Sequence, residues 1–347
     1  MDIFDRLSVF PRVPLTPLPT PLEFAANLSH FLGGPRIFFK RDDLTALAFG
    51  GNKTRKLEFI MADAIEKKAD VVVTLGGVQS NWARQTASAA RRLGMDVALV
   101  LEGEEPEQYQ GNLLLDYLMG CDLRFVGRIP QDVEDKEIAG ECPITGEVAG
   151  EIRAKGRAPY IAPLGGATPL GNLGYVSAAV ELERQFSDMG ISPQYLALAT
   201  GTGGTQAGLA LGVETLGAKT RVMGLSISRH TRPKEEEISE LCNRTAEMLG
   251  MKHPRFCADH IDVTYDYVGA GYGVPTEEGI EAIKIVAGTE GIILDPVYSG
   301  KAMAGVIDLV RRGVLKKGED VVFLHTGGAA AGFAYGDTLR SEKRGAE

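Results

Sequence analysis

Several things are scarce in this sequence, and each shortage narrows what the protein can be. It holds one tryptophan, Trp82, and four cysteines in 347 residues. The cysteines (Cys121, Cys142, Cys242 and Cys257) form no C-x-x-C pair, and their spacing suits neither a zinc site nor a disulfide framework. Four free thiols fit a reducing compartment, so a cytoplasmic protein is expected. Positive charge is not in excess: the net charge is −9. A nucleic acid or an anionic membrane is therefore not an expected partner. No apolar stretch approaches the roughly 20 residues of a membrane span. The opening MDIFDRLSVFPRVPLTPLPTPLE lacks a basic region followed by an apolar core, so no signal peptide is expected. His30, His253 and His260 have no partner at ligand spacing, and no metal site is expected.

Glycine and alternating apolar runs are what the chain does have. Glycine accounts for 43 residues, many of them between apolar runs, and hydrophobic residues make up 44%, ample for a large core. The length suggests two domains or one large α/β unit. The first 23 residues contain five prolines and read as an irregular arm. RIFFKRDDL (36–44) reads as a strand and a charged turn. KLEFIMADAIEKKA has helical spacing, with Leu57, Ile60, Met61, Ala64 and Ile65 on one face. DVVVTLGG, DVALVLEG, CDLRFVG and APYIAPLGG read as strands separated by the helices SNWARQTASAARRLG and NLLLDYLMG. Residues 129–156 look acidic and irregular, with one helix near 147–155. Beyond them come a helix from about Gly174 to Asp188, the strand–loop–helix QYLALATGTGGTQAGLALGVETLG and the strand RVMGLSIS. Helices over 233–250 and 276–289 follow, then a strand, turn and helix in GIILDPVYSGKAMAGVIDLVRRG, then the strand DVVFLHTGG. This alternation predicts mainly parallel sheets with crossover helices. The glycine turns at 76, 165, 201 and 327 all follow strands, so they should meet in one cleft.

Two segments point to chemistry. LATGTGGTQAG (198–208) is a glycine-rich loop between an apolar strand and a helix, an anion cradle to which Thr202 and Thr205 add hydroxyls. It is neither a Walker loop nor a dinucleotide fingerprint, so one phosphate is its natural guest. GGNKTRKLE (50–58) sets Lys53 on a glycine turn. A phosphate cradle and a lysine so placed suit pyridoxal 5′-phosphate (PLP), whose aldehyde condenses with a lysine amine. GGVQSN (76–81) offers Ser80 and Asn81 at a helix start, where either would serve equally as an N-cap.

GGNKTRKLE, GGVQSN with ARQTA, TGTGGTQAG, GYGVP, LDPVYSGKAMAG and HTGGAAAGFAY together resemble the fold-type II PLP enzymes of the D-cysteine desulfhydrase and 1-aminocyclopropane-1-carboxylate deaminase family, which includes L-cysteate sulfo-lyases. The resemblance runs from about residue 10 to 335. It implies a tryptophan synthase β-like fold with two α/β domains, 54–162 as the small one and 1–53 with 163–347 as the large one. It implies Lys53 as the imine lysine, and Lys56, Thr202, Gly203, Gly204 and Thr205 around the phosphate. Asn81 would bond the phenolic oxygen, and Ser80 would hold the substrate carboxylate and relay protons. Tyr272 and Tyr298 would face the substrate. A homodimer acting on a small amino acid is implied as well.

Ser299 separates the relatives. The deaminases resemble DPVYEGK, with a carboxylate that keeps the pyridine nitrogen protonated. A neutral hydroxyl supports a weaker electron sink, which suits β-elimination better than opening a cyclopropane. Thr326 agrees, since an apolar residue is expected there in the deaminases. The expected activity is thus α,β-elimination from D-cysteine or L-cysteate, giving pyruvate, ammonia and sulfide or sulfite. Either Lys53 or a tyrosinate would take the α-proton. Deamination of 1-aminocyclopropane-1-carboxylate to 2-oxobutyrate is the alternative, and a non-catalytic PLP-binding protein is the rival outside enzymes. The chain departs from the family's QSNH at Trp82, which would leave a large apolar wall with one N–H donor against the substrate. Arg229, His230 and Arg232 could bind a sulfonate or simply form a solvated turn.

Overall fold

The computed structural model describes residues 2–229 and 232–340. Ten strands form two sheets: β1 (Leu22–Phe24), β2 (Arg36–Lys40), β3 (Val71–Gly77), β4 (Asp96–Glu102), β5 (Asp122–Phe125), β6 (Pro159–Ile161), β7 (Tyr195–Thr200), β8 (Arg221–Ser226), β9 (Asp262–Thr264) and β10 (Asp320–Leu324). One sheet has the order β1-β2-β10-β7-β8-β9 and the other β5-β4-β3-β6. Every pairing is parallel except β1 with β2.

Both sheets are covered on both faces, so their strands are apolar at successive positions. In β2, Ile37 and Phe39 point into the core that holds Leu225 and Phe323, while Phe38 points into the one formed by Leu196, Leu198 and Val322. In β3, Val72 faces Trp82 and Leu99, while Val71, Val73 and Leu75 face Val148 and Ile152. Phe39 and Phe323 meet edge-on with ring centroids 5.6 Å apart. Such a pair adds about 0.5–1.5 kcal/mol beyond its buried area.

The alternation of elements was legible, with differences where propensity and burial disagree. The proline-rich arm carries a helix, Ile3–Ser8, capped by Asp2, and ends in β1, whose antiparallel pairing to β2 closes the sheet edge. A further helix, Ala26–Leu32, follows it. Residues 129–156 hold two helices, Gln131–Ala139 and Thr145–Ala154, because Ile129, Val148 and Ile152 bury against β3 and β4 despite the acidic composition. The helix expected from Gly174 starts at Pro169, where the Thr168 hydroxyl caps Gly171 N–H and proline fits the first turn. Ile65 leaves the apolar face and is exposed. The run GIIL is not in a sheet: Ile292 and Leu294 are buried, but the Ile293 carbonyl meets the His325 ring instead of a strand. β9 had no strong apolar signature, and its three residues join the sheet at its far edge.

Candidate active site

Lys53 is the first residue of the helix Lys53–Glu66, reached through the two glycines that precede Asn52. Gly51 has φ +131°, and Gly50 has φ +67° with no room for a side chain: a Cβ there would lie 2.0 Å from the Asp43 carbonyl oxygen. Only glycine takes such a place at low cost. The turn is tied to the end of β10, where the Asn52 N–H donates to the Thr326 carbonyl at 3.0 Å. Burial pushes the Lys53 amine down to about 8.

The two other basic residues of GGNKTRKLE divide their work. Arg55 points away from the turn into a buried cluster. It donates to both Asp42 oxygens at 2.9 Å and to Glu181, and Tyr175 donates to Asp42. Lys40 pairs with the same Glu181. This network, which sequence reasoning missed, holds the start of the helix from behind. Its only trace in the sequence was the charged turn KRDD, whose Asp42 is completely buried.

Lys56 points the other way. Its Nζ donates to the Gly165 carbonyl at 3.1 Å and lies 2.7 Å from where a Cβ on Gly204 would sit. Burial, and then the nearby charge of Lys53, drive its pKa well below the ordinary lysine value. Gly203 (φ +81°) caps the helix Gly204–Thr215, and a Cβ on it would meet Ile238 at 2.7 Å. A Cβ on Gly165 would lie 2.6 Å from the Thr202 hydroxyl. Thr205 accepts from Asn52 Nδ2 at 2.9 Å and keeps its own proton to give. A helix N-terminus, two hydroxyl protons and a buried amine lie together here, groups of the kind that suit an anion, and the glycines leave no room for side chains beside them.

Ser80 and Asn81 open the helix Asn81–Arg92. The Ser80 hydroxyl accepts the Ala83 N–H at 3.1 Å, so it does cap the helix, yet its proton stays free. Asn81 Oδ1 accepts from Asn112 at 2.9 Å and Arg84 at 3.3 Å. Its Nδ2 therefore faces away from both, 2.9 Å from where a Cβ on Gly328 would lie. A Cβ at that same glycine would lie 2.8 Å from the Asp295 side chain. Thus the turn at 327–328, β10, Asn81 and Asp295 share one floor.

Asp295 anchors the other wall. Its carboxylate accepts the backbone N–H groups of Val297, Tyr298 and Ser299. The Ser299 hydroxyl donates to Asp295 Oδ1 at 2.6 Å and accepts the Asp295 N–H at 2.8 Å. The Tyr298 and Tyr272 hydroxyls lie 2.6 Å apart. Tyr272 keeps 46% of its surface open, yet protein crowds its ring edge, 3.8 Å from where a Cβ on Gly77 would lie. Burial raises the pKa of Tyr272 to about 12 and drives that of Tyr298 well above the ordinary tyrosine value.

The four glycine turns converge as expected. Trp82 differs from its reading as a donor-bearing substrate wall. It is buried, its N–H is spent on Thr74 Oγ1 at 2.7 Å, and its ring would touch a Cβ on Gly166 at 2.9 Å. An indole packed beneath the cleft supports the glycine turn from below. Arg232 pairs with Glu236 and Glu240, Arg229 is exposed, and His230 lies outside the described residues. All four cysteines are free. Among the described residues no cluster could hold a metal, and no helix is long and apolar enough to cross a membrane.

The comparisons with known proteins agree with this chemistry. A family model described as pyridoxal-phosphate dependent enzyme matches residues 13–327. A Pyrococcus furiosus protein named "Putative 1-aminocyclopropane-1-carboxylate deaminase" is 44% identical over 96% of this chain and 97% of its own length. A Klebsiella pneumoniae D-cysteine desulfhydrase is 40% identical over 95% of this chain and 98% of its own. A crystal structure of an ACC deaminase homologue superposes with a TM-score of 0.86 at 42% identity, covering 97% of this chain and 98% of that one. A tomato threonine deaminase, at 20% identity and a TM-score of 0.63 over 96% of this chain and 85% of that one, shares the fold alone. With its two mainly parallel sheets flanked by helices, this is the fold-type II architecture. The chain belongs to the family of pyridoxal-phosphate-dependent enzymes, among relatives named as deaminases and desulfhydrases.

Proposed function

We propose that the protein is a carbon–sulfur lyase that performs α,β-elimination on a cysteine-type amino acid, releasing pyruvate, ammonia and sulfide or sulfite. In this reading Lys53 anchors PLP, and Lys56, Thr202, Gly203, Gly204 and Thr205 hold its phosphate. Asn81 donates to its phenolic oxygen, and Ser299 meets its ring nitrogen. The cofactor supplies an electron sink that makes the α-proton of a joined amino acid acidic. Ser80 offers its free hydroxyl proton to the substrate carboxylate. Two candidate bases were open from the sequence. The raised pKa values of Tyr272 and Tyr298 keep both protonated near neutral pH, whereas Lys53 at about 8 is already about one-tenth neutral at pH 7 and more so above it. Lys53 is therefore the group that takes the α-proton, and the tyrosine pair donates hydrogen bonds to the substrate or leaving group.

Ser299 is the observation that carries this reading. Its proton is committed to Asp295, so it offers the ring nitrogen a neutral oxygen, not a carboxylate. A neutral acceptor holds a proton on that nitrogen less strongly, which suits prompt expulsion of a β-substituent. Of the groups considered for a sulfonate, Arg232 is paired with Glu236 and Glu240 and Arg229 lies exposed, and the Trp82 N–H is spent on Thr74. This supports D-cysteine ahead of L-cysteate. We place the catalytic unit in a cytoplasmic homodimer, each chain with a small domain over 54–162 and a large one over the remainder.

The second reading is deamination of 1-aminocyclopropane-1-carboxylate, favoured by the names of the Pyrococcus furiosus relative and the superposed crystal structure. Incubating the PLP-loaded protein with D-cysteine, L-cysteate and the cyclopropane amino acid separates them. Pyruvate with sulfide from D-cysteine is expected. 2-Oxobutyrate from the cyclopropane at the higher rate would replace this reading with the deaminase one. No oxo acid from any of the three would leave a PLP-binding protein without turnover.

A further inference from the structure

The loop that delivers Lys53 is held in an unfavourable shape. Five of the six residues from 46 to 51 have positive φ: Ala46 (+67°), Ala48 (+41°), Phe49 (+70°), Gly50 (+67°) and Gly51 (+131°). Three of the five carry side chains, for which left-handed backbone is costly. Phe49 does not earn its place by burial, since it is 64% exposed. Such strain persists only where surrounding groups over-determine it.

The Thr45 hydroxyl and the Asp42 carbonyl hold Gly51, and one buried side chain reaches three other carbonyls of the loop at once. Arg84, from the helix Asn81–Arg92, is completely buried. One of its terminal nitrogens donates to the Leu47 carbonyl at 3.4 Å and to that of Ala48. The other donates to the Gly50 carbonyl at 3.0 Å and to Asn81 Oδ1 at 3.3 Å. Among the described residues its acceptors are all neutral oxygens. Asp116 and Asp295 act on it only through space, and burial pushes it down to about 10, still charged at neutral pH. A buried guanidinium with no carboxylate partner is expensive to keep, unless it is needed where it points.

We propose that Arg84 is a positioning residue that pins the strained loop 46–51, and with it Lys53, to the helix bearing Asn81. One planar fork bridges the turn that carries the amine and the amide assigned to the cofactor's oxygen, fixing the distance between them. The proposal rests on the PLP reading of the site, but the pin itself is a property of the chain.

Strain relief tests it. Arg84→Met should raise amide hydrogen exchange over residues 46–52 by at least about tenfold, with a matching fall in PLP affinity measured by fluorescence titration. Adding Ala48→Gly and Phe49→Gly to Arg84→Met should recover most of the lost affinity, because glycine takes the left-handed backbone at little cost. Arg84 serving only as packing would gain nothing from those glycines. Arg84→Lys, which can still reach a carbonyl, should fall between wild type and Arg84→Met and covers the case in which methionine prevents folding. Unchanged exchange and affinity in both Arg84 variants would overturn the proposal, as would a folded Arg84→Met that the glycines fail to rescue. Wild-type protein that binds no PLP would instead overturn the cofactor assignment, and the exchange comparison would still decide the pin.

Discussion

The site has two halves of opposite character. The anchoring half, residues 46–56 with 201–205, is largely buried from Gly50 onward, crossed by hydrogen bonds and reached through left-handed backbone. The tyrosine half has Tyr272 nearly half exposed, on a segment where the two tyrosines chiefly bond each other. The difference teaches where each task belongs. Holding a cofactor demands a fixed amine and a fixed cradle. Admitting a small amino acid and releasing products demands an open side, and mobile functions are drawn from the less constrained parts of a fold.

Breaking the anchoring half should have the largest effect. Lys53→Ala is expected to lower turnover at least about 10³-fold. It should also abolish the visible band near roughly 410–420 nm of the lysine-linked cofactor. A visible spectrum and a pyruvate assay check both. Breaking the other half should separate the two functions. Tyr298→Phe removes a hydroxyl of the proton-sharing pair and should cut kcat about 10²-fold while leaving that band in place. A weaker lesion on the anchoring side is Gly204→Ala. Its Cβ would lie 2.7 Å from Lys56 Nζ, so PLP affinity should drop about tenfold, read by fluorescence titration. Without any mutation, kcat should have an acid limb. The base must be neutral to accept a proton, and the Lys53 amine has a pKa pushed down to about 8. Activity should therefore fall as pH drops below that value, approaching about tenfold per pH unit. A limb set by a tyrosinate would instead keep rising toward the much higher pKa of the pair.

The sequence carried the parts of this comparison unequally. Strand–glycine–helix alternation set out eight of the ten strands because buried parallel strands are apolar throughout and their loops need glycine. Lys53, Lys56 and the 202–205 cradle stood in ordered motifs that read almost directly as chemistry. What the sequence hid was polar and buried. Arg55 and Arg84 drew no reading from the sequence, since their acceptors lie away from them in the chain: Glu181 for one, backbone carbonyls of 47–50 for the other. Trp82 misled for the reverse reason. Its neighbour Asn81 faces the floor at Gly328, but one position along a helix turns a side chain by about 100°, and the indole goes into the core to meet Thr74. Left-handed backbone at Ala46, Ala48 and Phe49 left no mark in composition at all.

The bond from Asn52 N–H to the Thr326 carbonyl joins positions almost the whole chain apart. Gly51 and Gly327 are so closely apposed that a Cβ on the latter would lie 2.6 Å from the former's Cα. The amine-bearing turn is thus completed at the end of β10, the last strand among the described residues. A nascent chain released short of β10 could form the four-stranded sheet, yet it would lack the backstop for residue 52. With Lys53 as the proposed anchor, capture of the vitamin follows β10, and a chain lacking that strand is expected to stay colourless.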